Sequence, residues 1–287
     1  MNKTIRLVEC PRDAMQGWKP FIPTVRKVDY LSSLLRVGFD TIDCGSFVSA
    51  KAIPQMADTR EVLDLLEKKG NSRLLTIVAN LRGAEEASAH EKIDVLGFPF
   101  SVSETFQQRN ANSSVAEAFE RLKGIRDISG TKGKALVAYL SMGFGNPYGD
   151  AYSTDLVMEW AEKITNLGVD IVSLADTVGS ATPALVKELC ASVIDVTGAE
   201  KFGLHLHSTP DSWHAKVTAA YEAGCMRFDG AILGIGGCPM ATDDLTGNLD
   251  TLSLIGYFTS RNSLQPINHL YLRNCVEKAK DIFTVHP

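Results

Sequence analysis

The chain has 287 residues, of which 45% are hydrophobic and 22% are charged. This composition is typical of a soluble globular protein and excludes fibrous and disordered classes. The formal net charge is −5, from 29 basic against 34 acidic residues, and the sequence contains no block of basic residues. We therefore expect no nucleic-acid partner.

The cellular location is predicted from what the sequence lacks. Residues 1–9 contain no long apolar segment with a small-residue cleavage pattern. No run of about 18 apolar residues occurs in the chain, so we expect no membrane association. The six cysteines are far apart and form no C-x-x-C pair, which favours free thiols in a reducing compartment. The predicted location is cytoplasmic.

Short apolar runs alternate with amphipathic stretches along the chain. Strands are predicted at 5–9, 41–44, 74–78, 94–98, 135–140, 171–175, 203–207 and 228–233. Helices are predicted after them at about 24–37, 59–69, 84–89, 115–128, 154–167, 183–196, 212–223 and 248–259. Eight parallel βα units predict an α/β fold, a (β/α)8 TIM barrel, rather than a doubly wound sheet.

The domain organisation follows from the absence of any Pro-, Gly- or Ser-rich linker. Residues 1–287 are predicted to form a single TIM-barrel catalytic domain, with the barrel at about 4–260. The remaining 261–287 are predicted to be a short C-terminal helical extension, with a helix near 270–282.

A TIM barrel carries its active site at the carboxyl ends of its strands. Polar residues predicted at these ends include Arg12, Asp13, Asp43, Ser46, Ser173, Asp176, His205 and His207. His205 and His207 are two positions apart on a strand, so both imidazoles point to the same side and could bind a divalent ion. A pair of hydrogen-bonded histidines in a polar loop is the alternative.

A carboxylate and an amide oxygen would complete a site for Mg²⁺ or Mn²⁺ rather than a closed zinc site. Asp13 and Asn248 are placed to supply them, although a turn residue and a helix N-cap are the ordinary roles of these two. Arg12 keeps its proton, which suits it to a carboxylate, a phosphate or a developing enolate, or to a plain surface ion pair. Cys238 follows a glycine-rich turn and could be a reactive or a buried structural thiol.

Six segments in register resemble the 3-hydroxy-3-methylglutaryl-CoA lyase family, within the metal-dependent aldol and Claisen enzymes on TIM barrels. The segments are Val8-Glu9-Cys10-Pro11-Arg12-Asp13 with Gln16, Ser46-Phe47-Val48-Ser49 with Lys51 and Pro54-Gln55-Met56-Ala57-Asp58, Pro147-Tyr148-Gly149, Ser173-Leu174-Ala175-Asp176-Thr177-Val178-Gly179, His205-Leu206-His207, and Gly234-Ile235-Gly236-Gly237-Cys238-Pro239 followed by Gly247-Asn248-Leu249. The resemblance covers nearly the whole chain.

This resemblance implies a divalent-metal-dependent retro-Claisen cleavage of a 3-hydroxyacyl-CoA, such as 3-hydroxy-3-methylglutaryl-CoA, to acetyl-CoA and acetoacetate. The implied metal ligands are Asp13, His205, His207 and Asn248. The implied catalytic residues are Arg12, Asp43, His205 and Cys238, with Arg12 stabilising the enolate. The implied substrate-binding residues are Gln16, Ser46, Tyr148, Ser173, Asp176 and Thr177.

Four departures from the family pattern affect the predicted substrate. Asp43 stands where the family has Glu, Trp18 lies where it has a polar residue, Ser208 where it has Asp, and Leu252 replaces an acidic residue. We therefore expect that the preferred acyl-CoA could differ from hydroxymethylglutaryl-CoA.

Three other functions stay open at this stage. An acetyl-CoA condensing synthase would use the same residues in the reverse direction, but such enzymes commonly carry extra C-terminal domains. An aldolase acting on hydroxy-keto acids and a non-catalytic barrel that binds an acyl-CoA are the others. Barrels of this size often pair, so a homodimer is an expectation. An amidohydrolase is excluded, because that family has its H-x-H after the first strand.

Overall fold

The computed structural model describes residues 4–237 and 246–284. Eight parallel strands close into a barrel in chain order, because the first strand pairs with both the second and the eighth. The strands are β1 (Arg6–Glu9), β2 (Thr41–Ser46), β3 (Arg73–Ile77), β4 (Val95–Ser101), β5 (Ala135–Ser141), β6 (Ile171–Asp176), β7 (Phe202–Leu206) and β8 (Arg227–Gly230). The predicted TIM barrel is therefore confirmed.

Helices surround the barrel in the order that the alternating pattern predicts. They are α1 (Pro11–Gln16), α2 (Thr24–Leu34), α3 (Thr59–Leu65), α4 (Leu81–Ser88), α5 (Glu104–Ala111), α6 (Val115–Thr131), α7 (Thr154–Asn166), α8 (Pro183–Thr197), α9 (Trp213–Glu222), α10 (Thr251–Thr259) and α11 (His269–Ile282). Side-chain caps fix several starts: Ser114 caps α6 with Glu117 in a capping box, and Thr182 precedes Pro183 at the start of α8. Two helices, α1 and α5, were not predicted.

The interior of the barrel has two chemically different sides. On β3 to β6 the inward side chains form an apolar cluster of Leu75, Ile77, Val95, Val137, Tyr139 and Ile171. On the other side, β2 contributes Asp43 and β8 contributes Arg227 and Asp229, all buried. Buried charges are stable only when they are paired. The charged side therefore forms a network, and that network supports the candidate site.

A bulge in β2 determines how Asp43 is presented. The pairing with β3 shifts between Asp43 and Gly45. A Cβ atom on Gly45 would lie 2.5 Å from Thr59 Cγ2 of α3, so only glycine allows the strand to approach this helix closely.

The C-terminal helix α11 lies against α2 on the outside of the barrel. Arg36 Nη1 donates a hydrogen bond to Tyr271 Oη at 3.0 Å near one end, and Lys278 Nζ pairs with Asp29 Oδ1 at 2.5 Å near the middle. The predicted tail helix is therefore present and covers α2. None of the helices in 4–237 and 246–284 is long and apolar enough to cross a membrane.

Candidate active site

A cavity of about 490 Å³ opens at the carboxyl ends of the strands. Its lining combines polar residues with apolar residues of β3 and of the 48–53 segment. The predicted site residues among its lining are Arg12, Asp13, Gln16, Asp43, Thr177, His205 and His207. The position agrees with the usual place of an active site in this fold.

Four side chains converge at this cavity, three of them in its lining. The ligand atoms of Asp13, His205 and His207 lie within 4.8 Å of one another. His205 Nε2 and His207 Nε2 face each other at 3.1 Å. Asn248 Nδ2 donates a hydrogen bond to Asp13 Oδ2 at 2.7 Å. The structure thus brings together all four residues predicted to be metal ligands.

The surrounding backbone fixes the orientation of two of these side chains. His207 Nδ1 lies 2.8 Å from the carbonyl oxygen of Thr246, which leaves Nε2 directed at the cluster. Asn248 Nδ2 also donates to the carbonyl oxygen of Ile235 at 2.9 Å. Asn248 Oδ1 is buried and accepts no hydrogen bond from the described residues. A buried oxygen without a donor calls for an additional partner, such as a cation.

The charged groups in the cluster shift one another's pKa values. Burial raises the pKa of Asp13, but the charges of Arg12 and His205 outweigh burial, so its pKa is lowered. Burial and the charge of His205 lower the pKa of His207 to about 4. Burial lowers the pKa of His205, but Asp229 outweighs this effect and raises it. An ionised carboxylate beside a neutral imidazole is the state that binds a divalent cation.

Helix α1 holds a guanidinium beside this cluster. Its Pro11 at the first turn follows β1 directly, so Arg12 and Asp13 stand at the mouth of the barrel. Arg12 Nε and Nη2 both donate to Asp43 Oδ2, at 2.9 and 2.6 Å. Arg12 Nη1 donates to Gln16 Oε1 at 2.7 Å, and Gln16 Nε2 donates to Asp13 Oδ1 at 2.7 Å. The chain of bonds orients Arg12 rigidly.

Asp43 combines a buried position with a free acceptor atom. Burial raises its pKa to about 6, although the charge of Arg12 acts in the opposite direction. Its Oδ1 atom is buried and has no hydrogen-bond partner among the described residues. A carboxylate with this pKa is mostly ionised at neutral pH and can still take up a proton, as a general base must.

The predicted substrate-binding residues divide into two groups. Gln16 and Thr177 line the cavity, and Tyr148 lies nearby with its ring 4.7 Å from the Arg109 guanidinium, which also lines it. The remaining three, Ser46, Ser173 and Asp176, are buried outside its lining. Ser46 Oγ donates to the Ile77 carbonyl oxygen at 3.3 Å, and Asp176 pairs with Lys216.

Strand register explains where Ser173 and Asp176 lie. Ala175 pairs with His205 and therefore faces the cavity with it, whereas Asp176 pairs with Leu206 and faces outward. Ser173 pairs with Gly203, one layer deeper in the barrel.

Two residues that support the cluster, Lys216 and Asp229, carry no sequence motif. Lys216 of α9 donates from Nζ to Asp176 Oδ2 at 3.0 Å, to the Gly179 carbonyl oxygen at 2.9 Å and to the His207 carbonyl oxygen at 3.2 Å. Asp229 accepts from Arg227 Nη1 at 3.0 Å and lies 3.3 Å from His205 Nδ1. The sequence offers two signals for these residues. One is a lysine flanked by apolar residues in a helix, and the other is a pair of charged residues in one short strand.

The predicted catalytic residue Cys238 lies outside the described residues. The segments on both sides of it are joined to each other and to the site. In addition to the Asn248–Ile235 bond, Leu233 N donates to Asp250 Oδ1 at 3.1 Å and Ser208 N donates to the Gly247 carbonyl oxygen at 3.0 Å.

Among the four departures, only Asp43 lines the cavity. Trp18 packs edge-on against Phe283 of the tail, with ring centroids 5.4 Å apart. Ser208 Oγ bonds to Ser212 Oγ at 2.8 Å, and Leu252 packs on the apolar core. Trp18 therefore does not stack on a group in the cavity.

Comparison with known proteins identifies the family of the chain. A family model described as HMGL-like matches residues 5–277. The chain belongs to the HMGL-like family. Mouse mitochondrial hydroxymethylglutaryl-CoA lyase is 34% identical to this HMGL-like protein over 258 residues, which are 89% of the chain and 78% of the mouse protein.

Solved structures of bacterial HMG-CoA lyases match the HMGL-like protein over nearly its full length. One, from Acinetobacter baumannii in complex with coenzyme A and 3-methylmalate, has a TM-score of 0.91 at 30% identity, covering 97% of this chain and 91% of that chain. Another, from Pseudomonas aeruginosa, has a TM-score of 0.92 at 28% identity, covering 100% and 96%. The predicted family is confirmed.

Proposed function

We propose that the protein is a divalent-metal-dependent carbon–carbon lyase that cleaves 3-hydroxy-3-methylglutaryl-CoA to acetyl-CoA and acetoacetate, with residues 1–287 acting as one catalytic domain. Membership of the HMGL-like family supports the lyase class. The observation that carries the proposal is the convergence of Asp13, His205, His207 and Asn248 beside the Arg12–Asp43 pair. A condensing synthase has no comparable support.

The donor set fits Mg²⁺ or Mn²⁺. Asp13 and Asn248 would offer oxygens, and His205 and His207 would offer Nε2 atoms, so no soft ligand is among them. The two Nε2 atoms lie 3.1 Å apart, close enough for one cation to bind both. When bound, the ion would acidify the substrate's 3-hydroxyl group and orient its carboxylate.

The remaining chemistry falls to residues of the chain. Asp43 is proposed as the acceptor for the hydroxyl proton, because it lines the cavity and its Oδ1 atom has no hydrogen-bond partner among the described residues. Negative charge then moves to the thioester oxygen as the C–C bond breaks, and Arg12 stabilises that charge. Cys238 is proposed to protonate the carbon of the enolate. Thr177, Gln16 and Tyr148 are proposed to contact the acyl-CoA.

The test measures acetoacetate release by the full chain with and without Mg²⁺ or Mn²⁺. His205→Ala is expected to lose Mn²⁺ binding and cleavage together. His214→Ala is the matched control, because His214 is an exposed histidine of α9 and the chemical change is the same. Equal loss in both variants, or cleavage that a chelator does not affect, would contradict the proposal.

The choice of acyl group is tested separately from the metal site. A panel of 3-hydroxyacyl-CoAs is compared by kcat/KM under saturating Mn²⁺. We expect hydroxymethylglutaryl-CoA to be cleaved, since three of the four departures lie away from the cavity. If the protein binds Mn²⁺ and cleaves another 3-hydroxyacyl-CoA rapidly but not this one, the lyase proposal stands. The proposed substrate is then wrong.

We also propose a cytoplasmic location and a homodimer. The five described cysteines are free and buried, which is consistent with a reducing compartment. Fractionation of cells and sedimentation of the purified chain test the two proposals.

A further inference from the structure

The imidazole of His205 lies between two different sets of donor atoms. Its Nε2 atom faces His207 at 3.1 Å, on the side of Asp13 and Asn248. Its Nδ1 atom faces Asp229 Oδ2 at 3.3 Å, on the opposite edge of the ring. A neutral imidazole binds a cation through one nitrogen and keeps a proton on the other.

The second set of donors contains a thiol. Cys10, at the end of β1, is 1% exposed and lines the floor of the cavity beside His205. The ligand atoms of Cys10, His205 and Asp229 all lie within 4.8 Å of one another. Asp229 uses Oδ1 for its ion pair with Arg227, at 3.0 Å, so Oδ2 is directed at His205.

We propose that Cys10, Asp229 and the Nδ1 atom of His205 form a second cation site, specific for a thiophilic divalent ion such as Zn²⁺ or Cd²⁺, that competes for His205 with the site of Asp13, His207 and Asn248. Sulfur, nitrogen and one carboxylate oxygen are the donors that these ions prefer. The proposal is independent of which acyl-CoA the protein cleaves.

The charges around Cys10 favour a cation over a free thiolate. Burial raises the pKa of its thiol, and the carboxylates of Asp229, Asp43 and Asp13 raise it further. The thiol is therefore protonated in the absence of metal. The same negative charges attract a divalent ion, which forms the S–metal bond while the thiol proton leaves to the solvent.

Sharing of His205 makes the two sites compete. A soft ion that binds Nδ1 draws the ring towards Cys10 and Asp229, and Nε2 then carries the proton. His207 and Asp13 lose a ligand partner in that state. The structure thus predicts that Zn²⁺ or Cd²⁺ weakens Mn²⁺ binding through Cys10, without contact with Asp13.

Cd²⁺ alone is the probe, because a cadmium–thiolate bond gives a near-ultraviolet charge-transfer band. The full chain is titrated as the Cys238→Ser variant, so that Cys238 cannot supply the thiolate. We expect one thiolate band. Adding Cys10→Ser or His205→Ala should abolish the band.

Two controls separate this site from the other one and from misfolding. Cys44→Ser, which removes a buried thiol of β2, should keep the band, and Cys10→Ser should still bind Mn²⁺. His207→Ala removes a donor from the first set only and should also keep the cadmium–thiolate band. Loss of the band in His207→Ala would place Cys10 in the same site as His207, and a band that survives Cys10→Ser would exclude Cys10. Either result overturns the proposal, whether or not hydroxymethylglutaryl-CoA is cleaved.

Discussion

Replacement of Lys216 by methionine removes a buried charge that joins three parts of the site. The side chains of Lys216 and Asp176 are 3% and 1% exposed, and the ammonium group also binds the carbonyl oxygens of Gly179 and His207. Methionine has a similar length and no donor. Asp176 would keep its hydrogen bonds from the backbone N–H groups of Ala181 and Ser180, but no cation would remain beside it.

The expected cost follows from the burial of this pair. Removing one partner of a buried ion pair costs about 3–5 kcal/mol, because the other charge is left without compensation. The free energy of unfolding of Lys216→Met should therefore fall by about that amount. Because Lys216 also holds the backbone of His207, the affinity for Mn²⁺ should fall by about 10–100-fold.

The dependence on pH gives the sharper assay. Burial raises the pKa of Asp176 even with Lys216 present, and loss of the lysine should raise it more. When a carboxyl group has a higher pKa in the folded state than in the unfolded state, the protein becomes less stable as the pH rises above the unfolded pKa of about 3.9. Urea unfolding should therefore show a larger deficit for Lys216→Met at pH 8 than at pH 5.

Two further variants distinguish this explanation from a general packing defect. Lys216→Met with Asp176→Asn leaves no unpaired charge, so it should recover more than half of the lost stability. Lys187→Met removes an exposed lysine that pairs with Glu222 and should change stability by less than about 0.5 kcal/mol. An equal deficit at both pH values, or no recovery in the double variant, would refute the reasoning.

Three more predictions concern single side chains. Burial raises the pKa of Glu9 from an ordinary 4.5 to about 8, so stability should fall as pH rises between these values, and Glu9→Gln should remove that fall in urea unfolding. Asp43→Asn should lower kcat by about 10²-fold or more in steady-state assays with little change in Mn²⁺ affinity, because the proton acceptor is lost. Asn248→Ala should weaken Mn²⁺ binding in a titration, whereas unchanged binding would remove Asn248 from the ligand set.

The fold could be predicted because each βα unit repeats the same pattern of burial. The exceptions have local causes. Helix α1 has six residues, which is too short for a helical period to show, and α5 (Glu104–Ala111) has mostly polar residues on all sides. Tertiary contacts, rather than an apolar stripe, place both helices.

The sequence predicts those site residues that belong to motifs at the ends of strands. Asp13, His205, His207 and Asn248 come from distant parts of the chain, and closure of the barrel brings them together. The sequence could not reveal which residue at a strand end faces inward, as Asp176 shows. Nor could it reveal partners supplied by another element, such as Lys216.

Hydrogen bonds join the segments 231–235 and 246–250 directly to each other. The two ends of the intervening stretch are fixed beside each other by the barrel, through contacts such as Asn248 Nδ2 to the Ile235 carbonyl oxygen at 2.9 Å. Doubling the length of a loop between fixed ends costs only about 0.6 kcal/mol. An insertion between 237 and 246 should therefore leave the barrel intact, because these contacts join the two flanking segments directly.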